Sequence, residues 1–221
     1  AKRHPRMNEY IFAEKDGVHI FDLAITAKQL QVAYNFVFDQ AVKGKTMVMV
    51  GTKKQAKELI EDAAKECGAG YITSRWLGGF LTNWSQVKRS LKRMLDIEAG
   101  LKTGKFDGYT KFEKVQLEKE RIKLSRFFDG LRDLKKSPDF LFVVDIKREK
   151  NAIKEAQSMG VPVVAIVDSN SDPEGIDIVI PANDDALRSL SFLIGEIKKA
   201  YQEGQKEAGK GGKKVEEKET E

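Results

Sequence analysis

Five short runs of the chain are nearly all apolar or β-branched: "VHIFDL" from Val18, "TMVMVG" from Thr46, "FLFVVD" from Phe140, "VPVVAIV" from Val161 and "DIVIP" from Asp177. The second, third and fourth lack the alternation of a half-exposed strand, so they predict strands covered on both faces. A shorter run, "GYIT" from Gly70, predicts another. Between these runs the apolar positions recur at helical spacing over Ala27 to Val42, Lys53 to Cys67, Lys147 to Met159 and Asp184 to Tyr201. Strands alternating with helices of this length make βαβ units, with right-handed crossovers that set helices on both faces. The fold class this predicts is α/β, built on a mainly parallel sheet flanked by helices.

The alternation breaks once. From "GYIT" to "FLFVVD" no strand pattern occurs, and Thr82 to Leu101 and Thr110 to Lys135 read as two helices. Val87, Leu91, Met94 and Leu101 form a stripe on the first. Val115 with Ile122, and Leu117 with Leu124, Phe128 and Leu131, fall at heptad-like spacing on the second. Two such stripes joined by "KTGKFDGY" predict an inserted antiparallel helical (coiled-coil) hairpin. Residues 1–81 and 136–203 then form one discontinuous α/β body, and 82–135 an arm. Residues 204–221 hold a single apolar side chain larger than alanine, Val215, and are expected to be a disordered tail.

Charge sharpens this division. The chain carries a formal net charge of +5, yet Ser85 to Lys136 alone holds 15 Lys/Arg against 8 Asp/Glu. The positive excess therefore sits on the arm and, locally, on the first residues, Lys2, Arg3 and Arg6. A basic arm on a near-neutral body suits a polyanion, although a charge run can also be a solvated face. Cys67 is the only cysteine, which excludes an internal disulfide and fits a reducing cytosol. No apolar run approaches the roughly 20 residues that span a bilayer, and the basic start has no apolar signal region. No initiator methionine is present, so the sequence is expected to lack a few N-terminal residues.

An enzyme would have to work from the carboxyl ends of the strands. There Gly51 and Thr52 can open a helix towards a phosphate with Lys53 and Lys54 beside them, but the spacing of a P-loop is missing. A tight turn and a helix cap explain the same residues. Asp168, Asp184 and Asp185 can converge on a divalent cation, and turn and helix-start roles compete with that reading. His4 and His19 are the only histidines, and no set of acid, base and nucleophile emerges. No cofactor, catalytic residue or small-molecule substrate is expected.

The stretch "SRWLGGFLTNWSQVKRSLKRM" is richer. Lys88, Arg89, Lys92 and Arg93 recur at i, i+1, i+4 and i+5, which makes one basic helix face able to track a phosphate backbone. Arg75 adds a planar donor, and Asn83 a polar one. Trp76 and Trp84 can stack on unpaired bases or anchor the arm to its body, and anchoring is the expected role of Trp84. Gly78 and Gly79 allow a sharp exit. Two other readings stay open: a nucleotide- or metal-binding α/β enzyme or sensor around Gly51 and Asp168, and a protein scaffold whose arm dimerises as a coiled coil.

These motifs carry a resemblance. "RWLGGFLTNW" with "VKRSLKRM", together with "PRMNEYIF", "VHIFDLAIT", "PDFLFVVD" and "AIKEAQSMGVPVVAIVDSNSDP", resembles the ribosomal protein S-two family over about Pro5 to Tyr201. The resemblance implies a Rossmann- or flavodoxin-like body with an inserted hairpin. It also implies a structural role in the small ribosomal subunit in the cytoplasm, or in an organelle, bound to ribosomal RNA. Partners would be neighbouring ribosomal proteins, including the mRNA-binding ribosomal protein S-one. Arg75, Trp76, Thr82 and Asn83 match the family signature, and Lys88 to Arg93 its RNA-facing arm. A His-x-Gly-His-like motif expected ahead of Pro5 is not in this sequence.

Overall fold

Each apolar run becomes a strand in the computed structural model, which describes residues 3–216, with side chains through Lys210. After a 3-10 helix (Pro5–Tyr10) come β1 (Ile11–Lys15), β2 (Val18–Phe21), α1 (Leu23–Val42), β3 (Met47–Val50), α2 (Lys57–Cys67) and β4 (Gly70–Ile72). The hairpin follows as α3 (Trp84–Lys102) and α4 (Lys111–Phe128). Then come β5 (Phe140–Val144), α5 (Lys150–Met159), β6 (Val163–Val167), β7 (Ile178–Pro181) and α6 (Leu187–Glu216). Five strands form one parallel sheet in the order β4-β3-β5-β6-β7, and β1 and β2 pair antiparallel beside it.

The pleat sorts the core into two layers. Met47, Met49, Phe140, Phe142, Val164 and Ile166 point to one side, against α1, α2 and α6. Val48, Val50, Leu141, Val143, Val163 and Ala165 point to the other, against α5 and the root of the arm. Burying each such side chain contributes about 1.5–3 kcal/mol, which explains why the central strands carry no polar residue. Helix starts follow local chemistry. Asp22 accepts hydrogen bonds from the backbone of Ala24 and Ile25 to begin α1. Thr110 and Glu113 form a reciprocal capping box at α4. Asp139 locks the start of β3 to the approach of β5, accepting from Thr46 N at 2.8 Å and Thr46 Oγ1 at 2.9 Å.

Three expectations change. Val115 and Ile122 do not enter the hairpin seam but stand exposed on α4, and Val87, Leu91 and Met94 of α3 share one apolar cluster with Leu124 and Phe128. The expected tail begins as a continuation of α6, which stays helical through Glu216. Close packing on α1 explains this at Gly204, where a Cβ would stand 2.4 Å from the carbonyl oxygen of Phe38. Residues 217–221 of that tail lie outside the described residues. Lys53 to Ala56 form a turn rather than the first turn of α2, with Ala56 N donating to Lys53 O. Among the described residues, no helix is long and apolar enough to cross a membrane.

Candidate nucleic-acid interface

The arm leaves the body after β4, through the segment that holds both tryptophans. One carboxylate organises this exit. Glu155, on α5, accepts from Trp76 Nε1 at 3.0 Å and Gly79 N at 2.8 Å through one oxygen. Its other oxygen takes Leu81 N at 2.9 Å, with Thr82 N and Oγ1 at 3.4 Å. Burial alone would raise the carboxyl, but these donors win and hold it below the usual carboxylate range. Gly79 turns the chain with a φ of 88°, where a side chain would be strained. Trp76, Phe80 and Trp84 then stack edge to face, with centroids 4.8 and 5.7 Å apart.

This geometry packs the aromatics into the arm's root. Trp76 is buried, with 4% of its surface exposed, so it has no open face for a base. It is a core residue of the arm's root. Trp84 is half-buried against Phe80, as an anchor should be. Asn83 is exposed at the helix start and accepts from Ser85 Oγ rather than capping the backbone. Arg75 is exposed with no ion pair among the described residues, and with Arg148 it lines a small hollow beside Thr52.

The cations divide into free and committed. Lys88, Arg89 and Lys92 are exposed on the side of α3 away from its buried stripe, without an ion pair among the described residues. Arg93 instead forks onto Glu120 of α4, with Nε and Nη2 at 2.9 and 2.8 Å, so its charge is spent within the hairpin. Arg6 is likewise held by Asp172, at 2.9 Å, and by Glu174. Arg3 and Lys54 are exposed and form no ion pair among the described residues. Lys2 lies outside the described residues.

Lys53 is the most heavily paired of the sequence-predicted cations. The sheet order reverses between β3 and β5, the place where open α/β sheets usually bind ligands. There Lys53 Nζ lies 2.5 Å from Asp184, 2.7 Å from Asp185 and 3.9 Å from Asp145. Burial opposes its charge, but the hydrogen bonds it donates to Asp184 and Asp185 prevail and raise its pKa above that of an ordinary lysine. It is an internal counter-ion to these carboxylates. Asp168, Asp184 and Asp185 do converge, each offering an oxygen within 4.8 Å of the others, and the ammonium of Lys53 supplies positive charge there. Burial pushes the Asp184 carboxyl up to about 6. Beside it, Arg148 Nε donates to Thr52 Oγ1, which donates to buried Glu149 at 2.5 Å. At the switch point the protein's own polar groups thus pair with one another.

Sequence reasoning missed Glu155 and Glu120. Neither carries a local signal, because each meets donors far along the chain. Residues 1–204 match the family described as Ribosomal protein S2. The small ribosomal subunit protein uS2 of Dictyoglomus turgidum is 48% identical over 200 residues, covering 90% of this chain and 81% of the relative. That of Geotalea uraniireducens is 46% identical over 201 residues, covering 91% and 78%. The chain therefore belongs to the ribosomal protein S2 family, whose members are structural, non-enzymatic constituents of the small ribosomal subunit.

Proposed function

We propose that the protein binds small-subunit ribosomal RNA through its arm and thereby holds its α/β body in place for contacts with neighbouring ribosomal proteins. The observation that carries this reading is the row Lys88, Arg89 and Lys92, exposed on one side of α3 and free of ion pairs among the described residues. Arg75 and Asn83 extend the row to the arm's root, while Arg3 and Lys54 add charge on the body. Residues 1–81 and 136–203 act as the body and 82–135 as the arm. The body is also where ribosomal protein S-one docks in this reading, in the cytoplasm. An apolar groove supports that, lined by Ile20, Leu23, Leu30, Phe192 and Leu193 between β2, α1 and α6.

Salt dependence tests the reading. Replacing Lys88, Arg89 and Lys92 by glutamine removes three phosphate contacts. The slope of log affinity for small-subunit RNA against log salt should then fall by about 2 to 3. An unchanged slope and affinity would mean that the arm is not the binding element.

A further inference from the structure

A cavity of about 470 Å³ lies outside the carboxyl ends of β5 and β6, between α5 and the loop that follows β6. It is one strand along the sheet from the switch point. Its floor is apolar: Ile146 and Ile153 are buried, and Ile176 is half-buried. One wall is cationic. Lys147 stands in the turn before α5, and Lys150 and Lys154 follow on one face of the helix, a turn apart. All three are exposed and have no ion pair among the described residues. The other wall carries Asp172 and Glu174, and both are paired with Arg6 instead. His4 lines the cavity too, tethered by its backbone N–H to Ser169 O at 2.8 Å. Its Nε2 lies 3.7 Å from Asp172, but its Nδ1 is buried with no hydrogen-bond partner among the described residues.

Three cations beside an apolar floor suit a ligand that has both characters, and the volume falls within the roughly 300–1,000 Å³ of small-molecule sites. Inorganic phosphate would satisfy the lysines and leave the isoleucines uncovered. A strand of RNA would bring phosphates to both walls, and the Asp172 wall, with two carboxylates against one guanidinium, repels them. A ligand charged at one end only meets both demands. We propose that this cavity binds a free ribonucleoside phosphate. The phosphate lies on Lys147, Lys150 and Lys154, where the N-terminus of α5 adds to their field. The base covers Ile146, Ile153 and Ile176, as a flat ring packs on apolar side chains. A ribose hydroxyl, able to donate or accept, pairs with His4 Nδ1 whichever tautomer the ring holds. The site binds without making or breaking a bond, and it stands apart from the arm and its RNA.

Isothermal titration of the full chain with ADP and GDP tests this, beside adenosine, inorganic pyrophosphate and a short single-stranded RNA. ADP or GDP should bind with a Kd of about 100 μM or tighter. Adenosine and pyrophosphate should each bind at least about tenfold more weakly than that nucleotide, since each keeps only part of the contacts. Lys150→Gln with Lys154→Gln should weaken nucleotide binding by about tenfold or more. Both lysines are exposed, so the unfolding midpoint of the double variant should match the parent's. His4→Ala should weaken the nucleotide and leave pyrophosphate unchanged. No binding of either nucleotide at that level overturns the proposal. So does pyrophosphate binding as tightly as ADP, which would make the lysines a plain cationic patch. A nucleotide affinity that the double lysine variant leaves intact overturns it as well. An RNA that binds more tightly than ADP and displaces it would make this wall an RNA contact, and overturns it too. None of these outcomes bears on the arm, whose reading stands or falls on the salt slope.

Discussion

The indole N–H of Trp76 donates to the carboxylate of Glu155 across 3.0 Å, joining the arm's root to α5 on the body. The same carboxylate also gathers Gly79, Leu81 and Thr82, so one side chain fixes the direction in which α3 leaves. Glu155→Gln turns an amide NH2 towards donors that need an acceptor. A loss of about 1–3 kcal/mol is expected, since a donor at a buried site is left unsatisfied. Denaturant unfolding gives the stability. Amide hydrogen exchange should quicken at Gly79, Leu81 and Thr82, and exchange as slow as in the parent chain would show that Glu155 does not hold this loop.

Much of the fold was legible because the central strands are buried on both faces, which leaves no room for polar residues in "TMVMVG" or "FLFVVD". β1 was not, since only Ile11 and Ala13 of its five residues are even partly buried. The signal available was Asp16-Gly17, a two-residue turn between β1 and β2 with positive φ at both positions. The site was legible at the level of charge but not of pairing. Counting cations treats Arg6, Lys53 and Arg93 as free, and each is claimed by a carboxylate that only the fold brings near. The tail misled for a related reason: its composition reads as linker, but α1 gives Gly204 a surface to pack on.

Asp184 gives stability a pH dependence of unusual sign for a carboxylate. Its folded pKa is pushed up to about 6, mainly by burial, from an ordinary value of 3.8. The folded state therefore holds this proton more tightly than the unfolded chain. The stabilisation is complete below pH 3.8 and is lost as the pH rises through about 6. The change is on the order of 2–3 kcal/mol. Asp184→Asn should remove it, so the stability difference between the two chains should vary across pH 4 to 7. Urea midpoints at several pH values measure this, and parallel curves would refute it.

Asp139 has the opposite sign. Burial alone would raise its carboxyl, but hydrogen bonds from Thr46, Lys136 and Lys45 hold it well below the usual range. Its contribution is present above the unfolded pKa and lost as the pH falls towards the folded one. Asp139→Asn should cost about 2 kcal/mol at neutral pH, a penalty that shrinks as the medium becomes strongly acidic. Thermal unfolding of both chains at pH 7 and in acid checks it, and an equal penalty at both would place the effect in shape rather than charge.

Phe80 fixes the packing of the root, lying fully buried between Trp76 and Trp84. Phe80→Ala opens a cavity there and should cost about 3–5 kcal/mol. The near-ultraviolet signal of both tryptophans should weaken in the variant even where it remains folded. A folded variant with unchanged tryptophan signals would show that the three rings do not act as one unit.

Lys92 and Arg93 are adjacent, yet they should respond differently. Lys92 is exposed and unpaired among the described residues, whereas the Arg93 guanidinium is bidentate on Glu120. Lys92→Gln should leave stability within about 0.5 kcal/mol while lowering the RNA salt slope by about 0.7 to 0.9. Arg93→Gln should do the reverse, changing the slope little. Its cost in stability is at most about 1 kcal/mol, because the pair is half exposed and screened by solvent. Unfolding and RNA titration on the same two variants separate the effects. If Arg93→Gln lowers the slope as much as Lys92→Gln, Glu120 releases the guanidinium when RNA binds, and the ion pair is a resting state of the free arm.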